Sequence, residues 1–191
     1  MVNTIIPGMK EPTKNPSDLQ VAIIGGGIGG LTAAIALRQV GVEATVYERA
    51  QKLEEVGAGL SLWTNAMQAF NTLGLAEAIR AAGGPVEQSQ VRTWDGRVLA
   101  AMPVGHVSAK LGFKPTCVHR ADLQRVLLEA MDEGVVQLGF DCSGFQPDEA
   151  GVIARFANGK EARADFLVGA DGIHSAVRAQ LLGQEKPRYA G

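Results

Sequence analysis

Three glycines near the start of the chain have the spacing of a phosphate-binding loop. Gly25, Gly27 and Gly30 form a G-x-G-x-x-G pattern, which combines a tight turn, close backbone approach to a ligand and close helix packing. A helix that begins after such a loop offers unpaired N–H groups and a partial positive charge to a phosphate. We therefore take the whole turn as a candidate ligand-binding segment, comprising Gly25, Gly27, Ile28, Gly29 and Gly30.

Glu48 stands 18 residues after Gly30, at the end of the next predicted strand. A carboxylate there can accept hydrogen bonds from both hydroxyls of an adenosine ribose, and it would repel the 2′-phosphate of NADP. The neighbouring Arg49 has two interpretations, a contact with the pyrophosphate or a solvated side chain at the strand end. An isolated glutamate is more often a surface residue, but its spacing from the three glycines favours dinucleotide binding.

The segments that carry these residues are predicted to form a βαβ unit. The apolar run at 19–24 is typical of a strand buried on both faces of a parallel sheet. Residues 28–40 have apolar side chains at helical spacing, Gly41 ends that helix, and 44–47 form a second strand. A right-handed crossover between the two strands is expected.

Beyond this unit the chain alternates between helical and strand-like segments. Helical spacing predicts helices at 64–73, 75–82, 120–131 and about 175–182. Apolar or alternating runs predict strands at 88–94, 97–104, 135–145, 151–156, 160–164 and 166–168.

Local signals mark several boundaries between these elements. Thr64 or Asn65 is expected to cap a helix, and the Gly-Gly-Pro at 83–85 is expected to stop one. The pairs at 95–96 (Asp-Gly) and 158–159 (Asn-Gly) are typical hairpin turns.

The composition is that of an ordinary globular protein. The 191 residues carry 18 Lys and Arg against 20 Asp and Glu, so no basic excess supports binding of nucleic acid by charge alone. Two cysteines and three scattered histidines exclude a disulfide scaffold and a metal cluster of ordinary spacing. No apolar run is long enough for a membrane span, residues 1–18 are interpreted as a flexible leader, and the cytoplasm is the expected location.

Two stretches of the chain resemble a family of flavoproteins. The stretch 25–49 fits the extended dinucleotide-binding pattern of FAD enzymes of the glutathione-reductase superfamily. The stretch 169–178, Gly-Ala-Asp-Gly-Ile-His-Ser-Ala-Val-Arg, resembles the DG motif of flavoprotein aromatic hydroxylases, the p-hydroxybenzoate hydroxylase-like family. The resemblance implies that this second segment contacts both FAD and NAD(P)H.

Asp171, within the second stretch, follows the apolar strand 166–168, which is expected to be buried. An aspartate at such a corner can cap the turn into the helix that Ser175 starts. It can also reach phosphate or ribose groups, because ligands collect beyond the carboxyl ends of parallel strands. Arg178 could pair with a carboxylate or a phosphate. The sequence leaves both roles of Asp171 open.

Further segments extend the resemblance and imply more cofactor-binding residues. A glycine-rich stretch similar to the family's segment beside the flavin contains Gly59 and Ser61. Arg120 begins a stretch that resembles the family's Arg-x-x-Leu helix start, which implies that its guanidinium approaches FAD. Cys142 lies on the strand whose main chain contacts adenine in the family. His119 is interpreted as structural.

The resemblance implies an α/β fold, a Rossmann-like three-layer FAD-binding domain over residues 19–191 with a central parallel sheet. Residues 85–115 are expected to form a small antiparallel β excursion toward a substrate domain. Members of the family continue well beyond this length, with motifs that do not occur here. We therefore expect the chain to be the N-terminal half of such an enzyme, with the C-terminal half of the same enzyme as its partner.

The function implied by the resemblance is that of an FAD-dependent monooxygenase. NADH or NADPH would reduce the flavin, and O₂ would form a C4a-hydroperoxide that hydroxylates a small aromatic or heteroaromatic substrate. No catalytic residue is assigned, and the chain alone is expected to be inactive. An FAD-dependent epoxidase or prenyl-chain reductase is an alternative, and a non-catalytic module that binds NAD or ADP is an alternative of another class.

Overall fold

A computed structural model describes residues 14–53 and 58–183 of the chain. A short 3₁₀ helix, Pro16–Asp18, precedes the first strand. The helices are α1 (Ile28–Gln39), α2 (Thr64–Thr72), α3 (Ala76–Ala81), α4 (Val104–Leu111), α5 (Arg120–Glu129) and α6 (Ala176–Leu182). The strands are β1 (Gln20–Ile24), β2 (Glu43–Glu48), β3 (Gly59–Leu62), β4 (Gly83–Pro85), β5 (Ser89–Arg92), β6 (Val98–Met102), β7 (Thr116–His119), β8 (Val136–Leu138), β9 (Cys142–Asp148), β10 (Gly151–Phe156), β11 (Glu161–Ala164) and β12 (Phe166–Gly169).

Four parallel strands form the central sheet in the order β12-β1-β2-β8. In β1 the last residue, Ile24, is paired with Tyr47 of β2 and with Gly169 of β12. The β1–α1–β2 unit has the boundaries that the glycine and apolar spacing predict, to within two residues. The carboxyl ends of β1, β2 and β12 therefore meet at one edge of the sheet.

The alternation of side chains along β1 divides the core into two parts. Val21 and Ile23 pack into a large cluster under the helices, which includes Leu31 of α1 and Leu123 of α5. The intervening Ala22 and Ile24 face the antiparallel sheet of β11, β10 and β9, where they contact two smaller clusters that include Val152, Ala154, Phe156 and Ala164. Helices, parallel sheet and antiparallel sheet form three layers, which confirms the predicted fold class.

The region predicted as a β excursion, 85–115, contains the antiparallel hairpin of β5 and β6 and also a helix, α4. This helix was not predicted from the sequence. Its signals are weak, because Pro103 precedes it, Gly105 lowers its helix propensity, and Gly112 ends it in the left-handed region at φ 78°.

Two further expectations are corrected by the pairing of strands. The Gly-Gly-Pro at 83–85 follows α3 as a stop but also forms β4, which pairs with β7. Its close approach requires glycine, since a Cβ on Gly83 would lie 2.4 Å from the carbonyl oxygen of Cys117. The predicted strand 135–145 is two strands, β8 and β9, separated at Gly139, whose φ is 77°.

One helix cap and the burial of one strand also differ from the prediction. Neither Thr64 nor Asn65 caps α2, because the N-cap position belongs to Trp63 and Thr64 is the first helical residue. The strand 166–168 is not buried throughout, since Phe166 is 58% exposed. β12 lies at the edge of the central sheet, so one side of it has no neighbouring strand among the described residues.

None of the helices in the described ranges has the length and apolar character needed to cross a membrane. Most of the predicted leader, residues 1–13, lies outside the described residues.

Candidate functional site

A cleft of about 270 Å³ lies where the carboxyl ends of β1, β2 and β12 meet. Open α/β sheets collect ligands at this edge. Seven of the residues predicted to bind a cofactor line the cleft: Gly25, Gly27, Glu48, Arg49, Arg120, Cys142 and Asp171. The fold therefore brings together residues that are separated by up to about 150 positions in the sequence.

The glycine loop connects β1 to α1 along one side of this cleft. Gly25 has a φ of 110°, and a Cβ there would lie 2.4 Å from the carbonyl oxygen of Ala170. A Cβ on Gly30, in the first turn of α1 with Ile28 and Gly29, would lie 1.9 Å from the carbonyl oxygen of Gly25. A Cβ on Gly27 would meet nothing within 4 Å. Packing thus requires the outer two glycines, whereas the middle one borders open space.

Glu48, the last residue of β2, is fixed by two backbone donors. Its Oε2 accepts a hydrogen bond from the amide of Gly26 at 2.6 Å, and its Oε1 accepts one from the amide of Ala50 at 2.9 Å. Each carboxylate oxygen has a further lone pair. The side chain can therefore accept ligand hydroxyls, as the sequence predicts, while it also ties the glycine loop to the end of β2.

Two arginines and a histidine bring positive charge or hydrogen-bond donors to the cleft. Arg49 follows β2, and Arg120 is the first residue of α5. The Nδ1 atom of His119 accepts a hydrogen bond from the amide of Ala121 at 3.3 Å, which supports the structural interpretation of that histidine. His174 also lines the cleft and was not assigned from the sequence. Its place within the DG-like stretch was the signal that could have identified it.

Asp171 lines the cleft, but its carboxylate is largely engaged by its own chain. Its Oδ1 accepts from the Oγ of Ser175 at 2.5 Å, and its Oδ2 accepts from the amides of Ala176 at 2.7 Å and Val177 at 3.2 Å. Ser175 in turn accepts from the amide of Arg178 at 2.9 Å. These bonds close the start of α6, which confirms the capping role, while contact of Asp171 with a ligand stays a prediction.

The side chain of Arg178 does not pair with a carboxylate of the residues that the structure describes. Its Nη2 donates to the carbonyl oxygen of Ile173 at 2.5 Å and so braces the turn between Asp171 and α6.

An aromatic group and Cys142 form the wall on the side of β2 and β9. The rings of Tyr47, Phe140 and Phe156 lie with centroids 4.9 to 5.3 Å apart, and the first two line the cleft. Burial raises the pKa of Tyr47. Burial also raises the pKa of the Cys142 thiol, and the nearby carboxylates of Asp171 and Asp141 add to the effect. The phenol of Tyr47 and the thiol of Cys142 are thus uncharged at neutral pH. Neither Tyr47 nor Phe140 was assigned from the sequence, although Tyr47 directly precedes Glu48.

Gly59 and Ser61 do not join the other predicted residues. Both lie on β3, which pairs with β7 in a separate sheet, and neither is among the residues that line the cleft. The Oγ of Ser61 lies 3.4 Å from the Sγ of Cys117. The preceding residues Val56 and Gly57 lie outside the described residues, and the roles of Gly59 and Ser61 stay predictions.

Comparison with known proteins gives a consistent match over most of the chain. A family model described as FAD binding domain matches residues 18–188. The aurachin C monooxygenase/isomerase of Stigmatella aurantiaca is 44% identical over 173 residues, which are 91% of this chain and 45% of that protein. The 3-amino-4-hydroxybenzoate 2-monooxygenase of Streptomyces cremeus is 38% identical over 176 residues, 91% of this chain and 44% of that protein.

A solved structure supports the same match. Klebsiella pneumoniae HpxO complexed with FAD and uric acid superposes with a TM-score of 0.82 at 33% sequence identity, over 89% of this chain and 43% of that one. The chain thus spans less than half the length of these relatives.

Proposed function

Since the chain belongs to the FAD binding domain family of aromatic-hydroxylase-like flavoprotein monooxygenases, we propose that it supplies the cofactor-binding part of such an enzyme. The reaction would insert one atom of O₂ into a small aromatic or heteroaromatic ring. NADH or NADPH would supply two electrons, and the second oxygen atom would leave as water. The observation that carries the proposal is the cleft in which the glycine loop, Glu48 and the Asp171 turn converge.

The residues of the cleft fit the ADP part of FAD. The open space beside Gly27 allows a pyrophosphate to approach the backbone at the start of α1. Arg49 and Arg120 line the same cleft, and their guanidinium groups can balance the negative charge of the pyrophosphate. Glu48 is the proposed acceptor for the hydroxyls of the adenosine ribose, as the sequence pattern indicates.

The chain contributes binding, orientation and shielding, and the flavin, when bound, supplies the redox chemistry with O₂. The uncharged aromatic wall of Tyr47 and Phe140 can exclude water from one side of the adenosine. Gly59 and Ser61, on β3, are the proposed residues toward the flavin ring. We place the enzyme in the cytoplasm and assign no general base to this chain.

Titration with FAD tests the proposal directly. Quenching of flavin fluorescence and a visible flavin spectrum retained through gel filtration are expected, whereas NAD should compete weakly. Tight binding of NAD or ADP with no retention of FAD would instead support the non-catalytic module.

A matched pair of variants sharpens this titration. Glu48→Ala should weaken FAD binding, because a hydrogen bond to a charged acceptor contributes about 1.5–3 kcal/mol at most. Glu43→Ala, at the exposed start of the same strand, should leave it unchanged. Equal affinities of the two variants would argue against the ribose contact.

A further inference from the structure

Gln124, on α5, reaches the glycine loop although it lies 98 residues further along the chain. Its Nε2 donates a hydrogen bond to the carbonyl oxygen of Gly26 at 2.9 Å. The bond is partly buried, so water competes with it less than at an open surface. Gln124 belongs to neither the glycine pattern nor the Arg-x-x-Leu start, and no role was assigned to it from the sequence.

The residue that Gln124 contacts is held from both sides. The amide of Gly26 donates to Glu48 at 2.6 Å, and its carbonyl accepts from Gln124. A Cβ on Gly26 would lie 3.0 Å from the Cβ of Glu48, so the backbone is also closely packed there. β2 and α5 thus fix the two successive peptide units on either side of the Gly26 Cα: Glu48 holds the Gly25–Gly26 peptide and Gln124 holds the Gly26–Gly27 peptide.

The orientation of the Gly26–Gly27 peptide determines where the amide of Gly27 points. No cis peptide bond occurs in the described part of the chain, and in a trans peptide the C=O and the following N–H point in opposite directions. Since the carbonyl of Gly26 points to Gln124, the N–H of Gly27 points away from it. Gly27 lines the cleft and has no atoms within 4 Å of its Cβ position.

We propose that Gln124 is a positioning residue, which orients the Gly27 amide as a hydrogen-bond donor to the pyrophosphate of FAD. This inference rests on the proposed FAD binding. Glycines at 26 and 27 have wide backbone freedom, so without the bond from Gln124 this peptide would adopt several orientations. FAD binding would then have to order this peptide, and the free-energy cost of ordering it would lower the affinity for FAD.

The test compares the same substitution at two glutamines. Gln124→Met keeps the length of the side chain and removes the donor. Gln137→Met is the matched control, because the Nε2 of Gln137 also donates to a glycine carbonyl, that of Gly134, at 2.7 Å. We expect Gln124→Met to weaken FAD binding about fivefold to tenfold, the size of one hydrogen bond. Gln137→Met should leave the affinity unchanged, and both should have similar melting temperatures without FAD.

FAD affinity of Gln124→Met within twofold of the unchanged chain would overturn the inference, as would an equal loss in both variants. A second measurement does not depend on the variant's folding. In the unchanged chain, the ¹⁵N–¹H resonance of Gly27 should move downfield when ADP is added, and an unmoved resonance in the ADP-saturated chain would also overturn the inference. Failure of the unchanged chain to bind FAD would count against the proposed function instead.

Discussion

Two turns at the same edge of the central sheet differ in how they treat the unpaired amides at the start of the helix that follows. The glycine loop follows β1 and the Asp171 turn follows its neighbour β12, and each leads into a helix. The N-cap of α1 is Gly27, and no side chain caps that helix. The start of α6 is instead closed by Asp171 and by its N-cap Ser175. One helix start is open toward the cleft, and the other is satisfied by its own side chains.

This difference separates ligand binding from local stability. Unpaired amides at a helix start can bind an anion, whereas amides that already have carboxylate partners cannot contribute equally. The pyrophosphate should therefore bind on the α1 side, with the Asp171 turn as the opposite wall. We expect substitutions at the cleft-lining Gly27 to affect mainly FAD binding, and those at tightly packed Gly30 or in the Asp171 turn to affect mainly the free energy of unfolding.

The largest effect is expected from Gly30→Ala, which would disrupt the packing of the glycine loop. The new Cβ would lie 1.9 Å from the carbonyl oxygen of Gly25, so α1 must shift away from β1. We expect the free energy of unfolding to fall by about 3 kcal/mol or more, measured by urea denaturation. Gly29→Ala is the control, since its Cβ would meet nothing within 4 Å. Equal midpoints for the two variants would contradict the packing argument.

Gly27→Ala should separate binding from stability most clearly. The backbone there is extended at φ −75°, which alanine adopts without strain, and the added Cβ would have space. The methyl group would nevertheless stand where the pyrophosphate approaches, so FAD affinity should fall by a factor of about ten to a hundred, or 1.4–2.8 kcal/mol. Calorimetric titration and a melting curve would measure both quantities. Unchanged affinity would mean that the anion binds elsewhere.

Asp171→Ala, in the Asp171 turn, should lower stability more than FAD affinity, which is the converse of Gly27→Ala. Loss of the cap would lower the free energy of unfolding by about 1–2 kcal/mol, with a smaller change in FAD affinity. The free energy of unfolding of Asp171→Asn should lie between those of the unchanged chain and Asp171→Ala, because an amide keeps one acceptor oxygen where the carboxylate uses two. A stable Asp171→Asn variant that had lost FAD would instead assign the carboxylate to the cofactor.

The smallest effect concerns Cys142, on the wall between the two turns. Burial raises the pKa of its thiol, so the reactive thiolate forms only at more alkaline pH than for an ordinary cysteine. Iodoacetamide near neutral pH should modify the exposed Cys117 first, and the rate at Cys142 should increase as the pH rises. FAD should slow modification at Cys142 alone. Peptide mass spectrometry would measure both rates, and faster modification of Cys142 than of Cys117 at neutral pH would contradict the raised pKa of the Cys142 thiol.

The glycine loop could be predicted from the sequence more fully than the Asp171 turn. The glycine spacing and Glu48 lie within one βαβ unit, where the local pattern determines the geometry. The roles of Asp171 and Phe166 could not be settled in this way. Whether a carboxylate faces its own helix or a ligand depends on side-chain rotamers, and the exposure of Phe166 depends on the position of β12 in the sheet.

Contacts between distant segments account for the remaining differences. Gln124 meets the glycine loop only because α5 packs beside α1, and no periodicity in the sequence reports that contact. The strand β4 forms because β7 provides a partner, which overrides the local preference of Gly-Gly-Pro for a turn.

The pairing of β1 with β12 also determines the order in which the site can form as the chain is made. The β1–α1–β2 unit is complete once Glu48 has been synthesised, whereas a bond such as that from Gln20 to Asp165 spans 145 residues. At about 5–20 residues per second, the interval between the two is on the order of ten seconds. During that time the glycine loop has no opposite wall. A nascent chain should therefore retain FAD only after β12 has emerged and paired beside β1.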